Sequence, residues 1–260
     1  MKITLLQTHV QWQDAAANRA GAERLIAAAP ASDVYVLPEM WDSGFCTRPE
    51  SWQEGQSVLS LEWMRHTARR LGAVVAGSLA MRESSTTGAE AAGAQWRNRF
   101  YWVRPDGVVQ YYDKRHLFAY AGEHLAYTAG QERVVVEWKG VRFMLQVCFD
   151  LRFPEGSRNA LQHPYDVMLC VASWPEQRRA AWDILLQARA VENQAYMVGI
   201  NRTGTDPHCT YNGGSAIVSP RGQVLRRLDA AVQTATFEPD LEALRSLRQH
   251  FPVLPEFTGV

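Results

Sequence analysis

Apolar and polar positions alternate over residues 142–147, where Phe143, Leu145 and Val147 interleave with Met144 and Gln146 on a mostly apolar background. Period-two patterning with so few polar positions predicts a strand covered on both faces. Pro154 and Glu155 follow, a proline suited to a first helical turn and an acid suited to the positive end of a helix. The run predicts a strand, a tight turn and a helix from Pro154 to about residue 161, with Cys148 at the handover. The same patterning predicts further strands at 2–10, 33–37, 73–81, 166–172 and 195–201. Three hairpins are predicted, at 96–104 with 108–112, at 133–138 with 141–148, and at 215–219 with 223–228, each around a turn sequence containing glycine. Helical spacing or composition predicts helices at 14–29, 57–71, 176–193 and 241–250. Residues 82–95 are small and polar and predict an exposed loop, and 119–130 and 201–214 predict longer loops.

Strands alternate with helices in the first and last thirds, and hairpins dominate the middle. No linker, repeat or low-complexity tract interrupts the chain. These features predict one α/β (α+β) layered domain over residues 1–260, with helices outside two sheets.

Composition narrows the function more than the fold. Lys plus Arg and Asp plus Glu both number 27, so nothing points to nucleic acid or an anionic membrane as a partner. No apolar run approaches the ~18 residues that span a bilayer, and the N-terminus turns polar too soon for a signal peptide. The expectation is a cytoplasmic protein whose Cys46, Cys148, Cys170 and Cys209 are free thiols. None of them forms a C-x-x-C pair, which argues against a zinc ribbon or a thioredoxin-type motif.

Three reactive residue types fall at strand ends. Glu39 follows the strand at 33–37, Lys114 follows the hairpin at 96–112, and Cys148 stands at the strand–helix elbow. A cysteine nucleophile needs a base or a cation to raise its thiolate fraction. A carboxylate can take its proton, an ammonium can stabilise the thiolate and a developing oxyanion, and a helix start at the elbow would favour the thiolate further. Spacing alone does not bring the three together.

The motifs that do so are Leu37-Pro-Glu39-Met-Trp, Asn98-Arg-Phe, Pro105-Asp-Gly107, Tyr112-Asp-Lys114-Arg-His-Leu-Phe118, Gly122-Glu123-His124, Val147-Cys148-Phe-Asp-Leu-Arg152-Phe-Pro-Glu155 and Gln187-Ala-Arg-Ala-Val-Glu-Asn-Gln194. Each is weak alone; in this order they are specific. Over nearly its whole length the chain resembles the nitrilase superfamily of carbon–nitrogen hydrolases. With Ser173-Trp174-Pro175 added, it is most similar to the omega-amidases, which hydrolyse the terminal amide of 2-oxoglutaramate or 2-oxosuccinamate. The resemblance implies a four-layer α-β-β-α sandwich and a Glu–Lys–Cys triad of Glu39, Lys114 and Cys148. It implies Glu123 as a second active-site acid that positions the others, and a thioester intermediate with no metal or organic cofactor. On that chemistry Lys114 and the backbone N–H of Phe149 hold the oxyanion.

Arg152 and Trp174 are candidate substrate-binding residues. A buried Arg152 fork would suit a substrate carboxylate, an ion pair of Arg152 with Asp150 or Glu155 is the structural alternative, and Arg202 is a further candidate clamp. The partners expected are a small amide substrate and further copies of the chain, as a homodimer or larger. The helices near 154–161 and 176–193 are the expected contact, and a tail from about residue 239 is placed against a partner subunit. The alternatives are another amidase of the superfamily such as an N-carbamoyl amino-acid hydrolase, a nitrile hydrolase, a catalytically silent homologue and a redox protein. The last lacks a nearby resolving cysteine.

Overall fold

Two sheets are assembled on one plan, with three parallel strands in the middle and antiparallel strands at both sides. The computed structural model describes residues 1–49, 52, 55–83, 95–159, 162 and 164–256. In the first sheet, β1 (Ile3–Gln7), β2 (Val34–Val36) and β3 (Val74–Glu83) run parallel. β4 (Gln95–Val103) and β5 (Val109–Asp113) extend it antiparallel, and β14 (Gln233–Phe237) closes the far side against β1. In the second sheet, β7 (Val141–Val147), β8 (Val167–Ala172) and β9 (Tyr196–Asn201) are the parallel trio. β6 (Val135–Trp138) flanks one side, and β12 (Ala216–Val218) and β13 (Val224–Arg227) the other. A small hairpin, β10 (Thr203–Thr205) with β11 (Thr210–Asn212), stands apart.

The alternation read in the sequence sorts side chains into layers. Val167, Leu169 and Val171 of β8 join Phe143, Leu145 and Val147 of β7 in the space between the sheets, against Ile3, Leu5, Phe100 and Trp102 of the first sheet. The next residues along, Met168, Cys170 and Ala172, face outward and are covered by Trp182, Leu186 and Ala190 of α5 (Arg179–Asn193). On the other side, α1 (Ala15–Ala28) and α2 (Gly55–Leu71) pack Ala22, Ile26, Met64 and Ala68 over Leu6, Tyr35, Leu37 and Val75. The result is the four-layer α-β-β-α sandwich expected. α1 begins where predicted because the Asp14 carboxylate caps the Ala17 N–H at 2.9 Å. α5 lies so close to β9 that a Cβ on Gly199 would come within 2.7 Å of both Trp182 and Leu186, so glycine is needed there for the packing.

Several expectations are corrected. The helix predicted from Pro154 to about 161 is a single turn, α4 (Pro154–Ser157); residues 160 and 161 lie outside the described residues. Gly156 and Ser157 are poor helix formers, and Asn159 holds the chain in another path through hydrogen bonds with Asn193 and Tyr165. Part of the predicted loop at 119–130 is helical, a 3₁₀ turn at Ala119–Ala121 leading into α3 (Glu123–Ala126). β14 and the β10–β11 hairpin were not predicted. Arg82, Glu83 and Gln95 lengthen β3 and β4, and the rest of the predicted loop at 82–95 lies outside the described residues. α6 (Leu241–His250) rests on its own chain, with Leu244 in the inter-sheet core and Arg248 bonded to Gln194, Asp166 and Tyr165. Among the described residues no helix is long and apolar enough to cross a membrane.

Candidate active site

Four strand ends and one short helix converge on Glu39, Lys114, Glu123 and Cys148. Glu39 lies just beyond β2, Lys114 just beyond β5, Glu123 opens α3, and Cys148 follows β7. The fourth strand end, that of β8, supplies Ser173. Glu39, Lys114 and Glu123 are wholly buried. The Lys114 ammonium lies 2.9 Å from Glu39 Oε1, and 3.0 and 2.8 Å from Glu123 Oε1 and Oε2. Asn98 of β4 bridges the two acids, its Nδ2 donating to Glu39 Oε1 at 2.7 Å and Glu123 Oε1 at 3.0 Å. Its Oδ1 accepts from Ser78, so the amide is satisfied at both ends. Glu39 Oε2 accepts the Ser173 N–H at 2.8 Å. Cys148 lies near enough for the Glu39 charge to raise its thiol. Glu123 Oε2 accepts the Phe118 N–H at 2.6 Å.

The elbow is built around Asp150. Cys148 has φ of +47°, the left-handed region that side chains seldom adopt, and opens a 3₁₀ turn over Cys148–Arg152. Buried Asp150 accepts from the Val147 N–H, the Tyr112 hydroxyl and the His116 N–H, at 3.0, 2.8 and 2.9 Å. One carboxylate thus ties the end of β7 to the segment around Lys114. From the other side, buried Arg189 of α5 donates to the Leu151 carbonyl at 2.6 Å.

Above the elbow lies a cavity of about 1250 Å³ lined by Cys148, Phe149, Arg152, Ser173, Trp174 and Arg178, among others. Arg152 is exposed at its wall, with the guanidinium 5.1 Å from the Trp174 ring centre. The expected buried fork is corrected on that ground. The alternative ion pair is corrected too, because among the described residues no acid pairs with Arg152 and Asp150 is engaged elsewhere. Arg202 is buried and donates to the backbone carbonyls of Val10, Thr203 and Thr205, which makes it a structural cation rather than a clamp.

The family model described as carbon-nitrogen hydrolase matches residues 2–249. The chain belongs to the carbon–nitrogen hydrolase family. It is 43% identical over 254 residues to omega-amidase YafV of Escherichia coli (strain K12), covering 97% of this chain and 94% of that protein. It is 34% identical to 2-oxoglutaramate amidase of Bacillus subtilis (strain 168), over 86% of this chain and 85% of that one. A solved CN-hydrolase superfamily protein from Xanthomonas campestris, carrying an arsenic adduct in its active site, superposes with a TM-score of 0.92 at 38% identity, over 100% of this chain and 98% of that one.

The electrostatics of this hydrolase site correct one expectation. Burial pushes the Cys148 thiol well above its usual range, Glu39 adds to the shift, and Lys114 opposes it without cancelling it. With only a 3₁₀ turn beyond the elbow, no long helix N-terminus is present to favour a thiolate. For Lys114, burial pulls the ammonium down, but Glu123 and then Glu39 outweigh it and hold it above an ordinary lysine. Burial raises Glu123, with Lys114 opposing.

Asn98 and Ser173 were not singled out in the sequence as partners of the acids, although both stand inside quoted motifs. For Asn98 the signal is an amide set between Arg97 and Arg99, just before the aromatic run Phe100–Trp102 of β4.

Proposed function

We propose that this hydrolase is a cysteine amidase that converts the terminal amide of a small 2-oxo acid, 2-oxoglutaramate or 2-oxosuccinamate, into the dicarboxylate and ammonia. The observation that carries the proposal is the hydrogen-bond pattern of Glu39. Lys114 and Asn98 occupy Oε1, the Ser173 N–H takes one side of Oε2, and Cys148 stands near enough at the cavity wall for the Glu39 charge to raise its thiol. A carboxylate held this way has one position at which to accept a proton, and the nucleophile is beside it. The identity to YafV over nearly the full length of both chains supports the substrate class.

The reaction proceeds in two halves. Glu39 Oε2 takes the thiol proton as the Cys148 sulfur bonds to the amide carbon. Lys114 and the Phe149 N–H of the first turn stabilise the oxyanion. Glu39 returns the proton to nitrogen, the C–N bond breaks, and ammonia leaves a thioester. Water then gives a proton to Glu39 and attacks the thioester carbon. The C–S bond breaks, and Glu39 reprotonates the sulfur. All three Lys114 protons point at acids in the resting site. One must turn to the oxyanion during attack, and the Asn98 bond keeps Glu123 Oε1 satisfied when it does. The enzyme works as a homodimer or larger assembly in the cytoplasm, where its free cysteines stay reduced.

Ammonia release from 2-oxoglutaramate, with glutamine and a carbamoyl amino acid as comparators, tests the substrate. Cys148→Ala abolishes turnover, and intact-mass spectrometry shows an acyl adduct on the wild type alone. Glu39→Gln and Lys114→Met each lose at least ~100-fold. Turnover by Cys148→Ala would end the proposal.

A further inference from the structure

We propose that Arg178 is the residue that reads the substrate carboxylate, and so sets the preference for acidic over neutral amides. This rests on the amidase reading above and deepens it. Arg178 lines the same cavity as Cys148. Its guanidinium sits over the rings of Phe118 and Tyr120, at 5.1 and 5.9 Å from their centres. Aromatic faces hold a guanidinium without using its N–H donors, which lie in its plane and suit a carboxylate in a two-point fork. Among the described residues no carboxylate pairs with Arg178 and no acceptor takes its side-chain N–H groups. Buried arginines elsewhere are engaged: Arg99 with Asp113, Arg189 with Glu192 and Leu151, Arg202 with backbone carbonyls.

Both supports of Arg178 lead back to the reacting groups. Ser173, which fixes Glu39, begins the segment that ends at Arg178, and the Trp174 indole N–H donates to the Arg178 carbonyl at 2.8 Å. Phe118 donates its backbone N–H to Glu123, and its ring packs 5.0 Å from that of Phe149, the neighbour of Cys148. The cation is thus placed by the same elements that place the nucleophile and its base. Charge in the cavity lining favours an anion, with Arg48, Arg152 and Arg178 against Asp206. Asp206 is itself occupied by the Tyr211 hydroxyl and the backbone N–H groups of His208 and Cys209. Between the two open guanidiniums, Arg178 is half-buried and Arg152 exposed. A charge contact gains more where water is partly excluded.

The test is the ratio of kcat/KM for 2-oxoglutaramate to that for butyramide, which has no carboxylate. Arg178→Met is expected to lower this ratio on the order of 30-fold or more, chiefly by raising KM for the acid. Arg178→Lys, which keeps the charge and loses the fork, falls between Met and the wild type. Arg152→Met lowers the ratio less than Arg178→Met does. Equal losses on both substrates in the two Arg178 variants, or a larger fall for Arg152→Met, would overturn the assignment while leaving the amidase reading intact. A wild type that releases ammonia from butyramide but not from 2-oxoglutaramate would instead remove the substrate reading, and the carboxylate clamp with it.

Discussion

At the scale of residues, the site is a problem of allocating donors and acceptors among buried groups. Glu39 and Glu123 each have partners on both carboxylate oxygens, and the neutral Asn98 side chain serves both acids. The sequence carried the four reactive residues only through motif resemblance, because spacings of 75 and 9 positions between Lys114 and its acids say nothing of distance in space. Asn98 and Ser173 were harder to read: each acts through polar contacts set by the fold, and Ser173 reaches the Glu39 carboxylate through its backbone N–H. A further buried acid lies three residues past Glu39. Burial pushes Asp42 up to about 6, against the opposing hydroxyls of Ser60 and Ser57. Between about pH 4 and 6 the folded chain holds a proton on Asp42 that the unfolded chain has lost. Stability from this group is therefore greatest below that window, falls as pH rises through it, and stays reduced above it by about 3 kcal/mol. Asp42→Asn should raise the melting midpoint on the order of 5 °C at pH 8 and leave it near the wild-type value at pH 4. An equal change at both pH values would show that the carboxylate charge is not the cause.

At the scale of elements, legibility followed burial. β7, β8 and β9 were legible because both faces are covered and their sequences are almost wholly apolar. β14 was not, because it is an edge strand with Ala235 its one buried residue and polar residues at most other positions; its pairing with β1 is a long-range fact. The elbow was read as strand to helix, whereas a 3₁₀ turn held by Asp150 and Arg189 does the positioning. The Gln187–Gln194 motif gains a physical meaning from this, since Arg189 reaches from α5 to the Leu151 carbonyl just past the nucleophile. Arg189→Met leaves that buried carbonyl without its donor, at a cost of about 1–3 kcal/mol. It is expected to lower both the melting temperature and kcat, and Arg189→Lys to restore part of each. Wild-type melting and turnover in Arg189→Met would mean that the elbow stands without α5.

At the scale of the whole molecule, the outer surface of α5 is the feature that the single chain does not explain. Its inner face covers β8 and β9, yet Ile184 and Val191, seven residues apart and so on one stripe, are 66% and 51% exposed. Leu225 of the neighbouring β13 adds 48% exposure, and the Cβ that Gly222 lacks would meet Val191 at 2.7 Å, so strand turn and helix form one continuous patch. Apolar residues clustered in this way mark association surfaces more often than scattered ones do. The chain has no net formal charge, so self-repulsion does little to oppose pairing. The sequence pointed to residues 154–161 as well as 176–193 for this contact; with α4 reduced to one turn, the proposed surface narrows to α5 and β13. A two-fold pairing would set α5 against its copy, with the same residues contributed from both sides. Because α5 also holds the elbow through Arg189, pairing there would stiffen the segment that carries Cys148. Light scattering at micromolar concentration should give at least twice the 29.3 kDa chain mass for the wild type, and a value near one chain for Ile184→Asp combined with Val191→Asp. The double variant should keep its fold and lose turnover in proportion to its loss of assembly, recovering as protein concentration is raised. A wild type that stays at the mass of one chain would remove the dimer, and a double variant that remains assembled would move the interface to another face.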